Sequence, residues 1–450
     1  FYSNFVAVGQ DGTPEAGLYN PTFLSMDGHF NVGPFRSPAS PFDNDPLNLA
    51  PRFGFAYNPD GKGKTAIRGG IGIMHTNLPA ENFWNLVSGG RNVPYRITFS
   101  PSQIKQFNLI YPQFNDRLFR ISQQLSASSS FTNVGAIYNT HLHSPYVIQY
   151  SLGVERELPG SMVFETAGVG TRGVGFPLFR IANQVNRLTG DVPNPELAQP
   201  YYIDNSQLTT YYGWQNTLKK RFSHGFSLDL NYTWSKALSD GGGDVGSYYQ
   251  GEDDSGLTQQ FFNISADRGP TASDVTHYFS GDFLYRSPSL KSVGSRLLEE
   301  ALGNWQISGI VTASTGLGVD ITQSSSTSGQ RAEYIGGNAI LPHYQNTLQY
   351  LNPAAFELIP VSPLSGAPIY PGNTGHGEVR QPGLWNVDFS LAKDFSLTES
   401  SKLEISGDFF NALNHTNLSG LVTSVNNSRF GRLTNTRGAR IIQVSAKITF

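Results

Sequence analysis

The sequence has no cysteine, few charged residues and no long apolar run, and each absence excludes a class of protein. Without cysteine there is no disulfide scaffold, no thiolate metal site and no cysteine nucleophile. Charged residues form 14% of the chain, against roughly 25% in typical soluble domains. The net charge of −3 provides no overall basic balance for nucleic acid. No stretch reaches the roughly 18 uninterrupted apolar residues of a membrane-spanning helix.

Glycine and aromatic residues are what the chain has in excess. It contains 48 Gly, 30 Phe, 21 Tyr and 5 Trp among its 450 residues. Aromatic residues are enriched in strands, and a chain this rich in them is not disordered throughout. The composition therefore predicts an all-β protein. Two architectures compete: a soluble sandwich, propeller or barrel, and an outer-membrane barrel with apolar residues at every second position.

Alternation of apolar and polar residues predicts the strands. In Phe226–Ser235, five apolar residues alternate with five polar ones, which is the period of a strand with two different faces. The same alternation occurs in 146–155, 385–391, 402–409 and 442–450. Several of these segments have about ten residues, enough to cross a bilayer at a tilt, whereas soluble strands usually have about five or six.

The connections between the predicted strands alternate between short and long. Eleven strands have clear patterns, at 51–58, 65–75, 146–156, 161–171, 208–222, 226–238, 275–286, 303–315, 384–396, 402–414 and 439–450. The opening FYSNFVAV is a weak candidate for a twelfth. Connections within pairs are short at 59–64, 157–160, 223–225 and 397–401, and of medium length at 287–302. Long connections join the pairs at 76–145, 172–207, 239–274, 316–383 and 415–438.

This alternation favours the outer-membrane barrel over a soluble all-β protein with decorated loops. Periplasmic turns of such barrels are short and extracellular loops are long, whereas compact soluble domains seldom contain such long connections. The apolar positions then face lipid, and Tyr232 and Trp234 suit the outer aromatic girdle. The polar positions face the lumen, for which the candidates are Asp229, Asn231, Asp388, Lys402, Glu404 and Asp408.

Two short motifs match ligand-binding patterns but favour plainer interpretations. Gly168–Gly173 matches the dinucleotide pattern G-x-G-x-x-G, but Val-Gly-Phe-Pro follows it and no helix begins there to hold a pyrophosphate. These glycines therefore belong to a strand end and a loop. His141 and His143 form a pair of possible metal ligands, but no third ligand is near in sequence. We interpret them as solvated loop histidines.

Two groups of charged residues also have alternative interpretations. Glu252, Asp253 and Asp254, together with Asp240 and Asp244, could hold Ca²⁺, but EF-hand spacing is absent and a solvated loop is favoured. Asp267, Arg268, Asp274 and His277 lie close together without a nucleophile elbow, which favours ion pairs at a barrel rim over catalysis. We therefore expect no catalytic residue, no metal, no cofactor and no enzymatic activity.

A set of motifs spread between residue 50 and the C-terminus resembles the TonB-dependent outer-membrane receptors, and within them the Oar-like group. Each motif is weak alone, but their order is specific. The motifs are Ala50–Tyr57, Lys64–Gly72, Ser144–Tyr150, Glu157–Gly160, Val169–Gly173, Lys220–Gly225, Asn231–Lys236, Ala266–Pro270 with Asp274 and His277, Gly303–Gly309, Asn352–Phe356, Gly383–Asp388, Phe409–His415 and Phe430–Arg432. The terminal Phe450 is similar to the C-terminal signal of outer-membrane proteins.

The resemblance implies a barrel of roughly 22 strands closed by an N-terminal plug. Residues 1–450 would then be the C-terminal portion of that barrel, with the plug and N-terminal domains absent from this chain. FYSNFVAVGQ has no signal-peptide pattern, which agrees with a mature segment or interior fragment. An open half barrel leaves two unpaired edges in lipid, so we expect it to be unstable alone.

The expected location is the outer membrane, and the expected partners are its lipid bilayer, an unknown extracellular ligand and the TonB complex acting through the missing plug. The function would be ligand capture by the extracellular loops and uptake through the barrel. The alternatives are an outer-membrane surface or adhesion protein without transport, and a soluble all-β enzyme.

Overall fold

The computed structural model describes residues 48–76, 105–106, 136–138, 142–181, 184–191, 201–241, 258–259, 261, 263–289, 301–325, 330–364, 366–398 and 401–450. Strands dominate these ranges. They are β1 Arg52–Tyr57, β2 Thr65–His75, β3 Ala136–Tyr138, β4 Tyr146–Leu158, β5 Met162–Ile181, β6 Tyr201–Ser223, β7 Phe226–Ser239, β8 Gly269–Pro270, β9 His277–Arg286, β10 Trp305–Ser314, β11 Gly318–Val319, β12 Glu333–Tyr334, β13 Phe356–Glu357, β14 Val379–Arg380, β15 Leu384–Ser396, β16 Lys402–Phe410, β17 Leu418–Leu421, β18 Leu433–Thr436 and β19 Ile441–Thr449.

Helical structure includes one α-helical turn, α1 Tyr344–Thr347, and the 3₁₀ turns Ile264–Asp267 and Pro353–Ala355. Among the described residues, no helix has the length and hydropathy needed to span a membrane.

Eleven strands form one antiparallel path in the order β1-β2-β4-β5-β6-β7-β9-β10-β15-β16-β19. All eleven predicted strands are therefore confirmed, and the weak twelfth candidate lies outside the described residues. Each strand pairs with the next one along this path. Within the described part of the chain, β1 and β19 are the two edges, and the sheet does not close into a complete barrel.

The predicted ends of β5 and β6 are wrong, because both strands continue well beyond the alternating pattern. β5 has 20 residues and β6 has 23, so the connection between them shortens from 172–207 to 182–200. Their pairing passes through two register shifts around Phe176, and Gly175 adopts a positive φ of 74° there. A bulge of this kind changes the side-chain parity along a strand, which hides the extension from a period-two search.

All short connections lie at one end of the sheet and all long ones at the other. This follows from the antiparallel order of neighbouring strands. The connection of medium length between β9 and β10, 287–304, is also at the short-turn end. The strict alternation expected from sequence is thereby confirmed, and it places the connections 182–200, 240–276, 315–383 and 411–440 together.

The turn between β6 and β7 provides a test of this hairpin. His224 and Gly225 have positive φ values of 52° and 77°, and a Cβ added at Gly225 would lie 2.4 Å from the Arg286 carbonyl oxygen. We expect Gly225→Ala to lower the free energy of unfolding by about 1–3 kcal/mol more than Gly61→Ala, because it adds a steric clash to backbone strain.

Gly61 is a matched control for this test, since it has a φ of 62° and no heavy atom near its added Cβ. Denaturant titrations of the full-length protein in bilayers would measure both variants. Equal losses would show that the contact with Arg286 does not constrain the turn.

The register of the sheet separates a polar face from an apolar face. Lys219 lies opposite Asp229, Asp229 opposite Asp282, and Asp282 opposite Ile310, which in turn lies opposite Asp388. Further along, Ser390 lies opposite Asp408 and Asp394 opposite Glu404. Asn231 and Lys402 have the same parity as these residues, so all six candidates for the lumen share one face of the sheet. Its assignment to the lumen stays a prediction.

Several basic residues depart from this pattern and lie on the apolar face. Arg172 and Lys236 lie toward the long-connection end, and three others lie near the short-turn end. Lys393 is buried, donates to the Gly303 carbonyl oxygen at 2.7 Å and lies over the Trp305 ring. Lys220 donates to the Ser223 hydroxyl at 2.6 Å, and Arg156 donates to the Thr65 hydroxyl at 2.8 Å. Their partners and their place near strand ends explain how this face accommodates charge.

Candidate ligand-binding surface

Two long connections pack together into one folded unit, which we call the loop module and define as residues 315–383 and 411–440. Its core contains Ile321, Ala332, Tyr350, Leu351, Ala355 and Phe356 from the first connection and Phe430 and Leu433 from the second. The Phe356 and Phe430 rings meet edge to face with centroids 5.7 Å apart, a favourable aromatic geometry. The module therefore has a hydrophobic core of its own, separate from the sheet.

Backbone hydrogen bonds also join the two connections. The Leu433 amide donates to the Leu348 carbonyl at 2.8 Å, and the Tyr350 amide donates to the Gly431 carbonyl at 2.8 Å. The Tyr350 hydroxyl donates to the Arg380 carbonyl at 2.7 Å. Burial, with the neighbouring Tyr344 as a second cause, raises the pKa of Tyr350 to about 12, so this donor keeps its proton at neutral pH.

A buried ion pair links the loop module to the connection between β7 and β9. Arg331 and Asp267 are 2.5 Å apart, and each side chain is only 4% exposed. Arg331 also donates to the carbonyl oxygens of Ala266 and Thr374. Burial raises the pKa of Asp267 above its ordinary value, while Arg331 and the Gln259 amide act in the opposite direction. Removing either partner would leave a charge buried without its counter-ion.

Gln259 and Arg187 extend this contact to a fourth connection. The buried Gln259 amide oxygen accepts from the backbone amides of Arg331 and Gly372, at 2.8 and 3.1 Å. Arg187, in the connection between β5 and β6, donates to the Gln330 side chain at 2.6 Å and to the Gln259 carbonyl at 3.3 Å. The described parts of four long connections thus form one continuous structure at a single end of the sheet.

The charged cluster predicted at the rim does form ion pairs, but each member pairs with a residue outside the cluster. Arg268 pairs with Asp240 at 2.5 Å. Asp274 pairs with Arg380, and Lys236 lies 3.6 Å from the same carboxylate. His277 instead shares a 2.8 Å hydrogen bond with the Tyr232 hydroxyl. The expected ion pairs are confirmed for Asp267, Arg268 and Asp274.

Sequence reasoning missed the partners Arg331 and Arg380, which lie 64 and 106 residues from Asp267 and Asp274. It also missed the buried pair of Arg180 and Asp204 on β5 and β6. A charge in an apolar stretch was the available signal for Arg180, which lies in the segment FPLFRIA at 176–182. Arg331 and Arg380 have no such signal, because neither lies in an apolar stretch.

Exposed apolar side chains cluster on the surface of this end. Leu188 and Leu364 are 66% and 72% exposed, and Leu358, Val361 and Tyr370 are also exposed. The Ser362 hydroxyl and the Leu188 carbonyl connect the two segments that carry them. Apolar side chains on an ordered surface are typical of contact sites, which makes this patch a candidate for ligand contact.

Four of the six candidates on the polar face, Asp229, Asn231, Asp388 and Asp408, form hydrogen bonds with neighbouring side chains. Asn231 donates to Asp229 at 2.8 Å and accepts from Thr217 at 2.9 Å, and Lys219 lies 3.4 Å from Asp229. Asp388 accepts from Asn386 at 2.7 Å, and Asp408 accepts from Ser390 at 2.6 Å. Lys402 and Glu404 are exposed. This polar wall carries fixed hydrogen-bonding groups from strand β6 to strand β16.

A family model described as an outer membrane beta barrel domain matches residues 3–443. The chain belongs to this family. The antiparallel sheet, with its polar and apolar faces, is therefore part of an outer-membrane β-barrel, and the protein resides in the outer membrane.

Several solved structures align with this barrel sheet at low identity. The outer membrane transporter YddB from Escherichia coli aligns with 9% identity and a TM-score of 0.45, over 89% of this chain and 40% of YddB. The ferric enterobactin receptor PfeA from Pseudomonas aeruginosa aligns with 11% identity and a TM-score of 0.42, over 89% of this chain and 40% of PfeA. The siderophore receptor PirA from Acinetobacter baumannii aligns with 11% identity and a TM-score of 0.41, over 89% of this chain and 41% of PirA. The barrel chain thus spans about 40% of the length of these structures. No curated protein matches it.

The remaining sequence motifs occupy ordinary positions in the barrel. Gly168–Gly173 lies inside β5, so the expectation of a strand end and a loop is wrong, and these glycines belong to the strand itself. His143 exchanges backbone hydrogen bonds with the Asn205 side chain. His141, Asp244 and Glu252–Asp254 lie outside the described residues, and Asp240 is paired with Arg268. Within the described ranges, no group of three or more His, Cys, Asp or Glu could hold a metal ion.

Proposed function

We propose that this chain is the C-terminal portion of the barrel of a TonB-dependent receptor of the Oar-like type. Its long connections capture a ligand outside the cell, and the ligand passes through the barrel by a transport process energised by TonB. The chain contributes binding and passage, with no chemistry of its own. The rest of the barrel, the plug and the contact with TonB belong to parts of the receptor outside this chain.

The convergence of four long connections at one end carries this proposal. Buried ion pairs and a separate hydrophobic core give them a defined surface, and a preformed surface lowers the entropic cost of binding. The polar face of the sheet supports passage, because a lumen lined by hydrogen-bonding groups can hold water and a polar ligand. The ordered motifs between residue 50 and the C-terminus support the receptor type.

An outer-membrane adhesion protein is the second candidate. The same ordered loop module and its exposed apolar patch would then bind a partner without transport. Binding to TonB separates the two functions. We expect the full-length protein in detergent to bind the purified periplasmic domain of TonB saturably. A protein that shows no such binding, yet is correctly folded by its heat-dependent gel mobility, would be an adhesion protein.

The orientation of the barrel can be tested with cysteine labelling, because the chain has no cysteine of its own. Leu364→Cys places a thiol on the loop module, and Lys62→Cys places one in the short turn between β1 and β2. We expect a membrane-impermeant maleimide to label Leu364→Cys in intact cells at least tenfold more than Lys62→Cys.

The second position serves as the matched control. Labelling of Lys62→Cys should reach the level of Leu364→Cys once the outer membrane is permeabilised. Strong labelling of Lys62→Cys in intact cells, with Leu364→Cys protected, would reverse the orientation and remove the extracellular binding surface.

A further inference from the structure

A cavity of about 520 Å³ lies on the apolar face of the sheet, outside the polar wall. Its floor is a cross-strand row in which Tyr232 lies opposite Phe279, Phe279 opposite Ala313, and Ala313 opposite Trp385. The small Ala313 stands between two large aromatic residues and leaves a depression between their rings. The volume falls within the range of about 300–1,000 Å³ that small-molecule sites have.

The loop module covers this depression from above. Tyr344 and Gln345 of α1 and the segment from His415 to Leu418 line the cavity. His415 stacks on Trp385 with ring centroids 3.9 Å apart. The Asn417 side chain accepts from the Trp385 amide at 3.0 Å and donates to its carbonyl at 2.8 Å. These contacts fix the orientation of Trp385, so the cavity has rigid walls.

The cavity lies near the outer boundary of the bilayer. Phe279, Ala313 and Trp385 lie within three residues of the long-connection ends of β9, β10 and β15. Ala313 follows Trp305, the first residue of β10, by eight residues, which on a strand tilted by about 45° is a rise of about 19 Å in an apolar band about 25 Å tall. Two residues below the floor, on the same face, are Leu230, Val311 and Val387. The cavity is therefore continuous with the surface that faces lipid, while its cover belongs to the loop module outside the membrane.

The groups that line the cavity suit an amphiphile with an uncharged polar head. Aromatic rings of Tyr and Trp carry an apolar body and a polar tip, as at other membrane interfaces. Gln345, Thr416 and the two histidines add amide, hydroxyl and imidazole groups. No Lys, Arg, Asp or Glu is among the described residues that line the cavity, whereas phosphate sites usually contain Arg or Lys. Sugar hydroxyl groups fit this lining better than a phosphate does.

We propose that the cavity binds one glycolipid of the outer leaflet. The sugar of the headgroup lies between Trp385, Tyr344 and the polar groups of the cover, and an acyl chain runs down over Leu230, Val311 and Val387. The lipid thereby connects the loop module to the membrane. This inference uses the outer-membrane location and the assignment of the apolar face to lipid, and it does not depend on transport.

Filling the depression tests the proposal. The full-length protein and its Ala313→Phe variant would be purified from outer membranes in mild detergent, and the glycolipid and phospholipid that remain bound would be quantified by mass spectrometry. We expect about one glycolipid per protein and a reduction of fivefold or more in Ala313→Phe, because the added ring occupies the space of the sugar. Ala446→Phe is the control, since Ala446 is exposed on the same face of β19, away from the cavity.

A second variant keeps the test decisive if Ala313→Phe does not fold. His415→Ala removes only the stacking partner of Trp385 in the cover, and it should reduce bound glycolipid at least threefold with unchanged heat-dependent mobility. Equal glycolipid in the wild type and in the folded variants would overturn the proposal. So would a phospholipid that is retained in place of glycolipid and lost in the same variants.

Discussion

Asp267→Asn should open the long connections, with a loss of about 3–5 kcal/mol in the free energy of their local unfolding. Asparagine has nearly the same shape, and its side-chain oxygen can still accept from the Gln259 amide, which lies 3.1 Å from Asp267 Oδ2. The variant removes the negative charge and places an amide NH2 where Oδ1 accepted from Arg331. Arg331, whose side chain is 4% exposed, then remains buried as a cation without a counter-ion.

Proteolysis of the protein in native outer membranes measures this opening. Since about 1.4 kcal/mol corresponds to a factor of ten, cleavage within the loop module should become at least a hundredfold faster when it is limited by local opening. Glu357→Gln is the matched control, because Glu357 is an exposed carboxylate in the same connection. Similar cleavage rates for the two variants would mean that the ion pair does not join the connections.

Leu230→Arg should destabilise the barrel by about 2–4 kcal/mol, the cost of an arginine on the lipid face near the bilayer midplane. Leu230 is the fifth of the 14 residues of β7, on the same face as Phe226 and Trp234. Its cross-strand neighbours are Leu218 and Gly281, so no counter-ion is directly opposite. Denaturant titration of the full-length protein in bilayers would measure the loss.

The adjacent position distinguishes the two faces at nearly the same depth. Asn231→Arg places the same cation on the polar face, two residues from Asp229, and should change the free energy of unfolding by less than about 1 kcal/mol. A large loss for Asn231→Arg with a small loss for Leu230→Arg would reverse the assignment of lumen and lipid. The six predicted lumen residues would then be wrong together, since they share one face.

Strand positions were predictable because successive side chains of a strand point to opposite faces, so a strand between two different environments alternates apolar and polar residues. The pattern in Phe226–Ser235 identified β7, and the short turn before it identified its partner β6. Pairing of β5 and β6 beyond Val174 was not predictable. Their extension passes through register shifts and contains the buried pair of Arg180 and Asp204, so its side chains follow the packing of the connections and not a membrane period.

The polar face of the sheet was also predictable from sequence, because the same alternation of side chains defines it. Asp229 and Asn231 could be placed on one face by parity alone, and antiparallel pairing of neighbours extended that face to Asp408. The loop module was not accessible, because its contacts join residues far apart in the chain. Phe356 packs against Phe430, and no local pattern of apolar residues predicts a contact between residues so far apart in the sequence.

The sequence by itself determined an all-β barrel of the outer membrane, its eleven strands, the grouping of its long connections at one end and the face that carries most of the charges on its strands. These features depend on the alternation of side chains and on the length of connections, both of which are local. Only the tertiary structure decided that the long connections form a module with its own core, which arginine pairs with which aspartate, and that a cavity opens beside Ala313. Those features depend on contacts between side chains that are far apart in the sequence. A local sequence pattern does not show which distant residues will be in contact, because the fold alone brings them together.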